Sequence, residues 1–402
     1  MNRRGFIQAA GLLSAGIFSC GRDVGSTYEA PPVRYGSGDP WLEVNLRNIE
    51  TNIRLIKKKV SDRPVMAVVK CNAYGHGLVE VGKYLESINI DALLVGKLQE
   101  ALELRYGGIR TPVLNFGPFS EPDAESVVAH DISQTVYDDS VLVLDSMAER
   151  LRKQALVHIL VDSGLGRVGV SYRSAVDYIQ NVAQLVNVKI EGVFTTFTED
   201  VGYDRVQLQR FLGVCENAEN RGIALGIRHA ASSAGVLVFP EAYLDMVRPG
   251  ICIYGLYPSD EEARLRKIDL EPALSLKTRV SHVKTLRRGD SVSYHRLFTA
   301  EKEEKLVTAA LGYSDGIPLN SPGRASALIG GKKFPVVIDV SANHSYMNVT
   351  GNDNIRTGDE IVIFGEQEGS EITAHEFAQA VDTSVYKIVI LQNPLMKREF
   401  IT

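Results

Sequence analysis

The 402-residue sequence predicts an α/β protein: a (β/α)8 barrel over residues 40–270, followed by a C-terminal mainly-β domain over 271–402. Three observations predict it. Apolar, β-rich runs recur between residues 65 and 248, separated by amphipathic segments of helical period. Eight such alternations over about 200 residues suit a closed parallel barrel better than an open sheet. Beyond about residue 270 the helical period fades, and short alternating runs are broken by turn signals at Arg288-Gly289-Asp290, Gly330-Gly331-Lys332 and Thr357-Gly358-Asp359.

Taken in order, the first twenty residues read as an export signal and 21–39 as a linker rich in Gly, Pro and Ser. Arg3 and Arg4 precede an apolar stretch that ends at Ser19, too short to span a membrane but suited to a signal core. This start resembles a twin-arginine signal, and Ile17-Phe18-Ser19-Cys20 resembles a lipobox, which makes Cys20 a candidate lipid anchor and the protein periplasmic or membrane-anchored. The expected barrel strands are 65–69 (VMAVV), 91–95 (DALLV), 112–115 (PVLN), 132–136 (ISQTV), 156–161 (LVHILV), 188–194 (VKIEGVF), 225–229 (LGIRH) and 244–248 (LDMVR). Helical segments such as 139–153, 173–184 and 205–221 lie between them.

Composition narrows the function. A hydrophobic content of 45% and a net charge of −5 give ample core and no basic footprint for nucleic acid. Cys20, Cys71, Cys215 and Cys252 lack the paired spacing of a zinc or redox site, so no metal is expected and the last three read as buried thiols.

Chemistry in such a barrel gathers at the C-terminal strand ends, with phosphate often held after strands seven and eight. The run PVMAVVKCNAYGHG, 64–77, delivers Lys70 to the end of the first strand. A lysine there is costly unless neutralised or used covalently, and the commonest covalent use is a Schiff base with pyridoxal phosphate or a carbonyl substrate. Tyr74 follows the same strand. Arg167, in VDSGLGRVG, follows strand five; His229, Ser232 and Ser233, in RHAASSAG, follow strand seven. Arg248, Gly250 and Ile251, in MVRPGICIYG, follow strand eight. The N–H groups of Gly250 and Ile251, with the Ser233 hydroxyl, suit a dianionic phosphate. Singly, a strand-end arginine reads as a salt-bridged structural residue and a serine run as a helix cap. Their conjunction at one mouth points to a site.

Together with VSYHRLFTA and LGYSDG, these motifs make residues from about 40 to 402 resemble the alanine racemase family of fold-type III pyridoxal phosphate enzymes. The resemblance implies pyridoxal 5'-phosphate as cofactor, with Lys70 as its covalent attachment and as acid/base on one face of the substrate Cα. It implies Tyr294 as the opposite-face acid/base, supplied across a homodimer interface. It makes Tyr74, Ser233, Gly250 and Ile251 phosphate ligands and adds His229 to the cofactor-binding set. Arg248 then faces the pyridine nitrogen, Arg167 lies near the phenolic oxygen and substrate carboxylate, and Tyr313 belongs to the substrate entrance. The chemistry is consistent: racemisation removes a Cα proton from one face and returns one on the other, so two bases must flank a planar centre. Lysine and tyrosine serve only if their usual pKa values, roughly 10, are lowered. An arginine keeps its own proton, leaving the ring nitrogen unprotonated and disfavouring transamination.

The chain departs from the family at several places. Leu160 stands where a lysine usually braces the arginine, so Arg167 is expected to find another anion. Thr196 replaces a histidine that stacks on the cofactor ring. Ala342 and Asn343 replace a Met-Asp pair on the substrate side, which enlarges the pocket at a cost to alanine of about 1–3 kcal/mol. Pro394 aligns with a tyrosine that buttresses the phosphate, and His295 with a glycine. The leading expectation is interconversion of L- and D-alanine, a small amino acid. The alternatives are a serine or broad-specificity racemase, and a cofactor-binding protein without racemase activity. A fold-type III decarboxylase is disfavoured by Arg248, because that class places an acidic residue at the ring nitrogen.

Overall fold

The computed structural model describes residues 38–337 and 340–402. The expected export signal, Cys20 and all but the last two expected linker residues lie outside the described residues. The first strand, β1 (Trp41–Asn45), leads into the helix Leu46–Lys59, whose Leu46, Ile49, Ile53 and Ile56 share one buried face. The Asn45 side chain caps that helix by accepting from the Asn48 N–H at 3.2 Å, and Lys57, Lys58 and Lys59 end it, complementing the helix dipole.

Seven of the expected runs are strands of one parallel sheet: β2 (Met66–Val68), β3 (Ala92–Val95), β4 (Val113–Asn115), β5 (Ser133–Val136), β6 (Ala155–Asp162), β8 (Val188–Phe194) and β9 (Ile227–His229), with β7 (Val170–Ser171) attached to β6. The central strands are buried along their length, as strands covered by helices on one side and by a barrel core on the other must be. The eighth run, 244–248, is not a regular strand. It closes the ring through single parallel bridges, His229 to Met246 and Val65 to Val247. Leu244 sits at φ +48° and Pro249 has no N–H, so only a few positions between them are free to pair.

The C-terminal domain is built on β10 (Leu274–Leu286), a 13-residue strand in which Leu274, Leu276, Thr278 and Val280 alternate inward. The short hairpin strands β11 (Ser291–Val292) and β12 (Phe298–Thr299) precede β13 (Glu304–Ala309), β14 (Ser326–Ile329), β15 (Lys332–Val337), β16 (Ser345–Asn348), β17 (Glu360–Gln367), β18 (Ser370–Ile372) and β19 (Lys397–Ile401). The order β17-β14-β15-β16-β13-β10, with β10 pairing back to β17, forms a closed antiparallel ring. Two short helices, Ala374–Ala380 and Val385–Ile390, make the domain mainly rather than wholly β. β1 corrects the expected barrel span of 40–270, because it pairs with β10 and β19 in this second sheet. An extended run ahead of a helix gains its ladder bonds wherever an edge is open, and here β10 and β19 supply the edges.

Candidate active site

Lys70 is half-buried at the end of β2 and opens a turn, Lys70–Tyr74, of unusual hand. Cys71, Asn72, Ala73 and Tyr74 have φ of 56°, 56°, 52° and 50°, a left-handed run that L-residues avoid. Side-chain bonds tie it to its surroundings. The Glu100 carboxylate accepts from the N–H groups of Asn72 and Gly96 at 3.1 and 3.0 Å, and Asn72 Oδ1 accepts from Leu78 N–H at 2.8 Å. His76 Nδ1 lies 3.0 Å from the carbonyls of both Ala73 and Tyr74, so it is the protonated ring nitrogen. Gly96 packs against the Lys70 stem, leaving a Cβ built there only 3.3 Å from the lysine Cβ.

Across the mouth, Ser233 opens the helix Ser233–Val238 and its Oγ accepts the N–H groups of Gly250 at 2.9 Å and Cys252 at 3.3 Å. The Gly250 N–H, expected to face a phosphate, is thus given to Ser233. With both lone pairs engaged, the hydroxyl has only its hydrogen left to donate. The Tyr74 hydroxyl lies over Gly250, where an added Cβ would stand 2.5 Å from it. Burial pushes the Tyr74 phenol well above its ordinary pKa, so it too remains a donor. Two hydroxyl donors beside a glycine and the buried Ile251 form a cradle that fits a phosphate.

Arg248 is buried, and burial lowers its pKa to about 9, which keeps it cationic at neutral pH. It donates to Thr195 and Ala230 carbonyls at 2.8 and 3.2 Å and to His229 Nδ1 at 2.7 Å. An acceptor at Nδ1 places the His229 proton on Nε2, which donates to His158 Nδ1 at 2.8 Å. Burial, with the Arg248 charge, holds His229 well below its usual pKa and lowers His158 to about 4, so both rings stay neutral. A fixed cation at the end of a neutral imidazole chain suits the unprotonated nitrogen of a pyridine ring, and with the cradle it completes a donor set that fits pyridoxal phosphate.

Of the anions expected for Arg167, no carboxylate pairs with it among the described residues. Its exposed guanidinium lies 5.4 Å over the Phe116 ring, and Leu160 is buried beneath the loop, its Cγ 3.1 Å from a Cβ built on Gly169. Asp162 Oδ1 shapes the loop by accepting the N–H groups of Gly164 and Gly166 at 3.0 and 3.1 Å.

The remaining candidates lie on the β-domain. Tyr294 is 75% exposed, in the turn between β11 and β12, where Ser293, His295 and Arg296 all have positive φ. His295 at φ +57° carries strain there that a glycine would not. Tyr313, Ala342 and Asn343 form one loop cluster: Ser314 donates its N–H and hydroxyl to the Ala342 carbonyl at 3.1 and 2.7 Å, and Asn343 Nδ2 donates to Ser314 Oγ at 3.0 Å. Among the described residues no hydrogen bond, ion pair or ring contact joins Tyr294 to the Lys70 group.

Sequence reasoning missed several residues at the mouth. Tyr254 donates to the Val68 carbonyl at 3.0 Å and packs its ring 5.2 Å from Tyr74 and 4.4 Å from His76. Tyr386, rather than the residue at Pro394, is the C-terminal tyrosine beside Tyr74, with ring centroids 6.1 Å apart. Tyr254 lay within a quoted motif and His158 within an expected strand. Phe116 and Tyr386 carried no such signal.

Residues 44–258 match the family described as alanine racemase, N-terminal domain, and residues 273–400 its C-terminal domain. The chain is 36% identical over 368 residues to an alanine racemase of Methanococcus maripaludis, covering 90% of this chain and 98% of that protein. It is 38% identical over 354 residues to alanine racemase 2 of Caldanaerobacter subterraneus, covering 86% and 91%. Among solved structures it resembles an alanine racemase of Clostridium difficile, with TM-score 0.85 at 31% identity over 90% of this chain and 96% of that one. The alanine racemase of Bacillus anthracis with bound L-Ala-P gives TM-score 0.84 at 32% identity, over 92% and 96%. With both domains matched across nearly the whole described length, the chain belongs to the alanine racemase family.

Proposed function

We propose that this protein interconverts L- and D-alanine with pyridoxal phosphate held at the barrel mouth, using Lys70 and Tyr294 as the two acid/base residues. The observation that carries the reading is the Lys70 turn facing a hydroxyl cradle and a buried arginine, in a chain whose curated relatives are alanine racemases. Those relatives support alanine over serine, a broad amino-acid set or a protein without activity. The cofactor, when bound, supplies the electron sink that acidifies Cα. Ser233 and Tyr74 donate to its phosphate; Arg248, anchored through His229, presents a fixed N–H to its ring nitrogen. Lys70 exchanges a proton on one face. Tyr294, exposed on a β-domain turn, exchanges one on the other face of a neighbouring copy's site, so the working unit is a homodimer. Arg167, with Tyr313, Ala342 and Asn343, faces the substrate.

Mixing settles this assignment. Lys70→Ala loses the cofactor's absorbance band, and Tyr294→Phe protein keeps it with little turnover. Co-refolded, the two variants are expected to recover about a quarter of wild-type activity, because half of the dimers are mixed and each holds one intact site. No recovery would place both residues in the same subunit's site.

Residues 1–20 are proposed to export the protein, supported by the Arg3-Arg4 start and the run ending at Cys20. Wild type is expected in the membrane fraction and Cys20→Ser in the soluble periplasmic fraction. An identical distribution of the two would remove Cys20 as an anchor.

A further inference from the structure

Both arginines of the mouth place their guanidinium groups over phenylalanine rings. Arg167 lies 5.4 Å over Phe116 and Arg248 lies 5.0 Å over Phe194. The two rings meet, with centroids 5.9 Å apart and a tilt of 55°, and Phe194 stacks on His229 at 4.8 Å. Phe116 follows β4 and Phe194 ends β8, strands three places apart in the ring, so their contact reaches across the mouth instead of running along its wall. Leu160, buried beside Gly169 of the same loop, offers no charge, and among the described residues Arg167 has no ion pair.

We propose that Phe116 is the positioning residue of Arg167, and that the Phe116–Phe194 pair braces the arginine where a charged partner would otherwise do so. An aromatic ring holds a guanidinium through the negative potential of its face. That contact supplies no hydrogen-bond acceptor, so it engages none of the five N–H donors in a hydrogen bond. A carboxylate brace would occupy two of those donors and offset the charge. A ring does neither, so Arg167 keeps its charge and its bidentate edge for an amino-acid carboxylate, without a bound anion as accessory. The inference rests on Arg167 facing the substrate carboxylate, as proposed above.

The test compares Phe116→Leu, Phe116→Tyr and Arg167→Ala holoenzymes with wild type. It measures propionate binding by calorimetry, KM and kcat for alanine, and cofactor affinity by absorbance titration of the apoprotein. Phe116→Leu is expected to weaken propionate binding and raise KM roughly 3- to 10-fold, equivalent to about 0.7–1.4 kcal/mol. Its kcat and cofactor affinity should stay within about two-fold, and Phe116→Tyr, which restores a π face, should return all values to wild type. Wild-type KM should not respond to replacing chloride by an inert large anion at constant ionic strength. Equal losses in Phe116→Leu and Phe116→Tyr would overturn the proposal, as would kcat and cofactor affinity falling in step with KM. Chloride dependence of the wild type would overturn it by revealing an anion brace. Arg167→Ala separates the two readings. If it weakens propionate binding while Phe116→Leu does not, the brace alone fails; if it leaves binding unchanged, the role of Arg167 fails and the brace with it.

Discussion

Ser233 shows why a single residue type matters at this site. Its oxygen takes two backbone N–H groups, so the only thing it can offer a ligand is a hydrogen, and an anion is the natural recipient. Gly250 is equally constrained, since a methyl group there would stand 2.5 Å from the Tyr74 hydroxyl. Gly250→Ala is therefore expected to displace the phenol and weaken pyridoxal phosphate binding roughly ten-fold, read by absorbance titration of the apoprotein. Unchanged affinity would take Gly250 out of the cradle. At this scale Lys70, Ser233 and Arg248 were legible, because each sits in a motif whose neighbours share its task. Phe116 and Tyr386 were not. Each acquires its role from a ring or guanidinium far away in the chain, and no local pattern marks a residue for a partner it meets only after folding.

Among the elements, the turn after β2 runs most directly against local preference. Four successive L-residues in left-handed backbone cost about 1–2 kcal/mol each, which is offset by the bonds that Glu100 and His76 make to the turn's backbone beside its own Ala73 N–H to Val69 and Gly75 N–H to Cys71 bonds. Gly75, at φ +86°, ends it where a Cβ would press to 2.0 Å from the Val389 carbonyl oxygen, and Arg398 Nε donates to the Gly75 carbonyl at 2.8 Å. The C-terminal segment thus locks the cofactor lysine in place. The glycines of AYGHG could be read as a turn, but its hand could not: of Cys71, Asn72, Ala73 and Tyr74 only Asn72 is of a type that visits positive φ readily. Strands covered on both sides were easiest where they are wholly apolar, as β2 and β3 are, whereas β4, β5 and β6 bury Asn115, Ser133, Gln134, Thr135 and His158 beside their apolar residues. The 244–248 run fell short of a strand because Leu244 and Pro249 limit its ladder, although its apolar pattern matched the others.

For the whole molecule, three buried histidines tie stability to pH. Burial lowers His76 and His158 to about 4 and His229 well below its ordinary value. Between about pH 4 and 6.5 the unfolded chain binds more protons at these sites than the folded one, so stability rises with pH across that window. The stabilisation is fully present above about pH 6.5 and is lost as pH falls toward 4, by up to about 3 kcal/mol for each of His76 and His158. The thermal midpoint should be nearly level from pH 7 to 8 and fall steeply from 6.5 to 4.5, with a shallower fall in His158→Gln. A level midpoint down to pH 5 would contradict neutral burial of these rings. The sequence by itself determined the barrel, the β-domain and the cofactor lysine, because periodicity and strand-end motifs are local and survive in the linear chain. Only the tertiary structure decided that β1 joins the second sheet, that single bridges close the barrel, and that Arg167 rests on Phe116. Those outcomes depend on which edges and faces remain unpaired once distant segments meet, a competition that no short window of sequence contains.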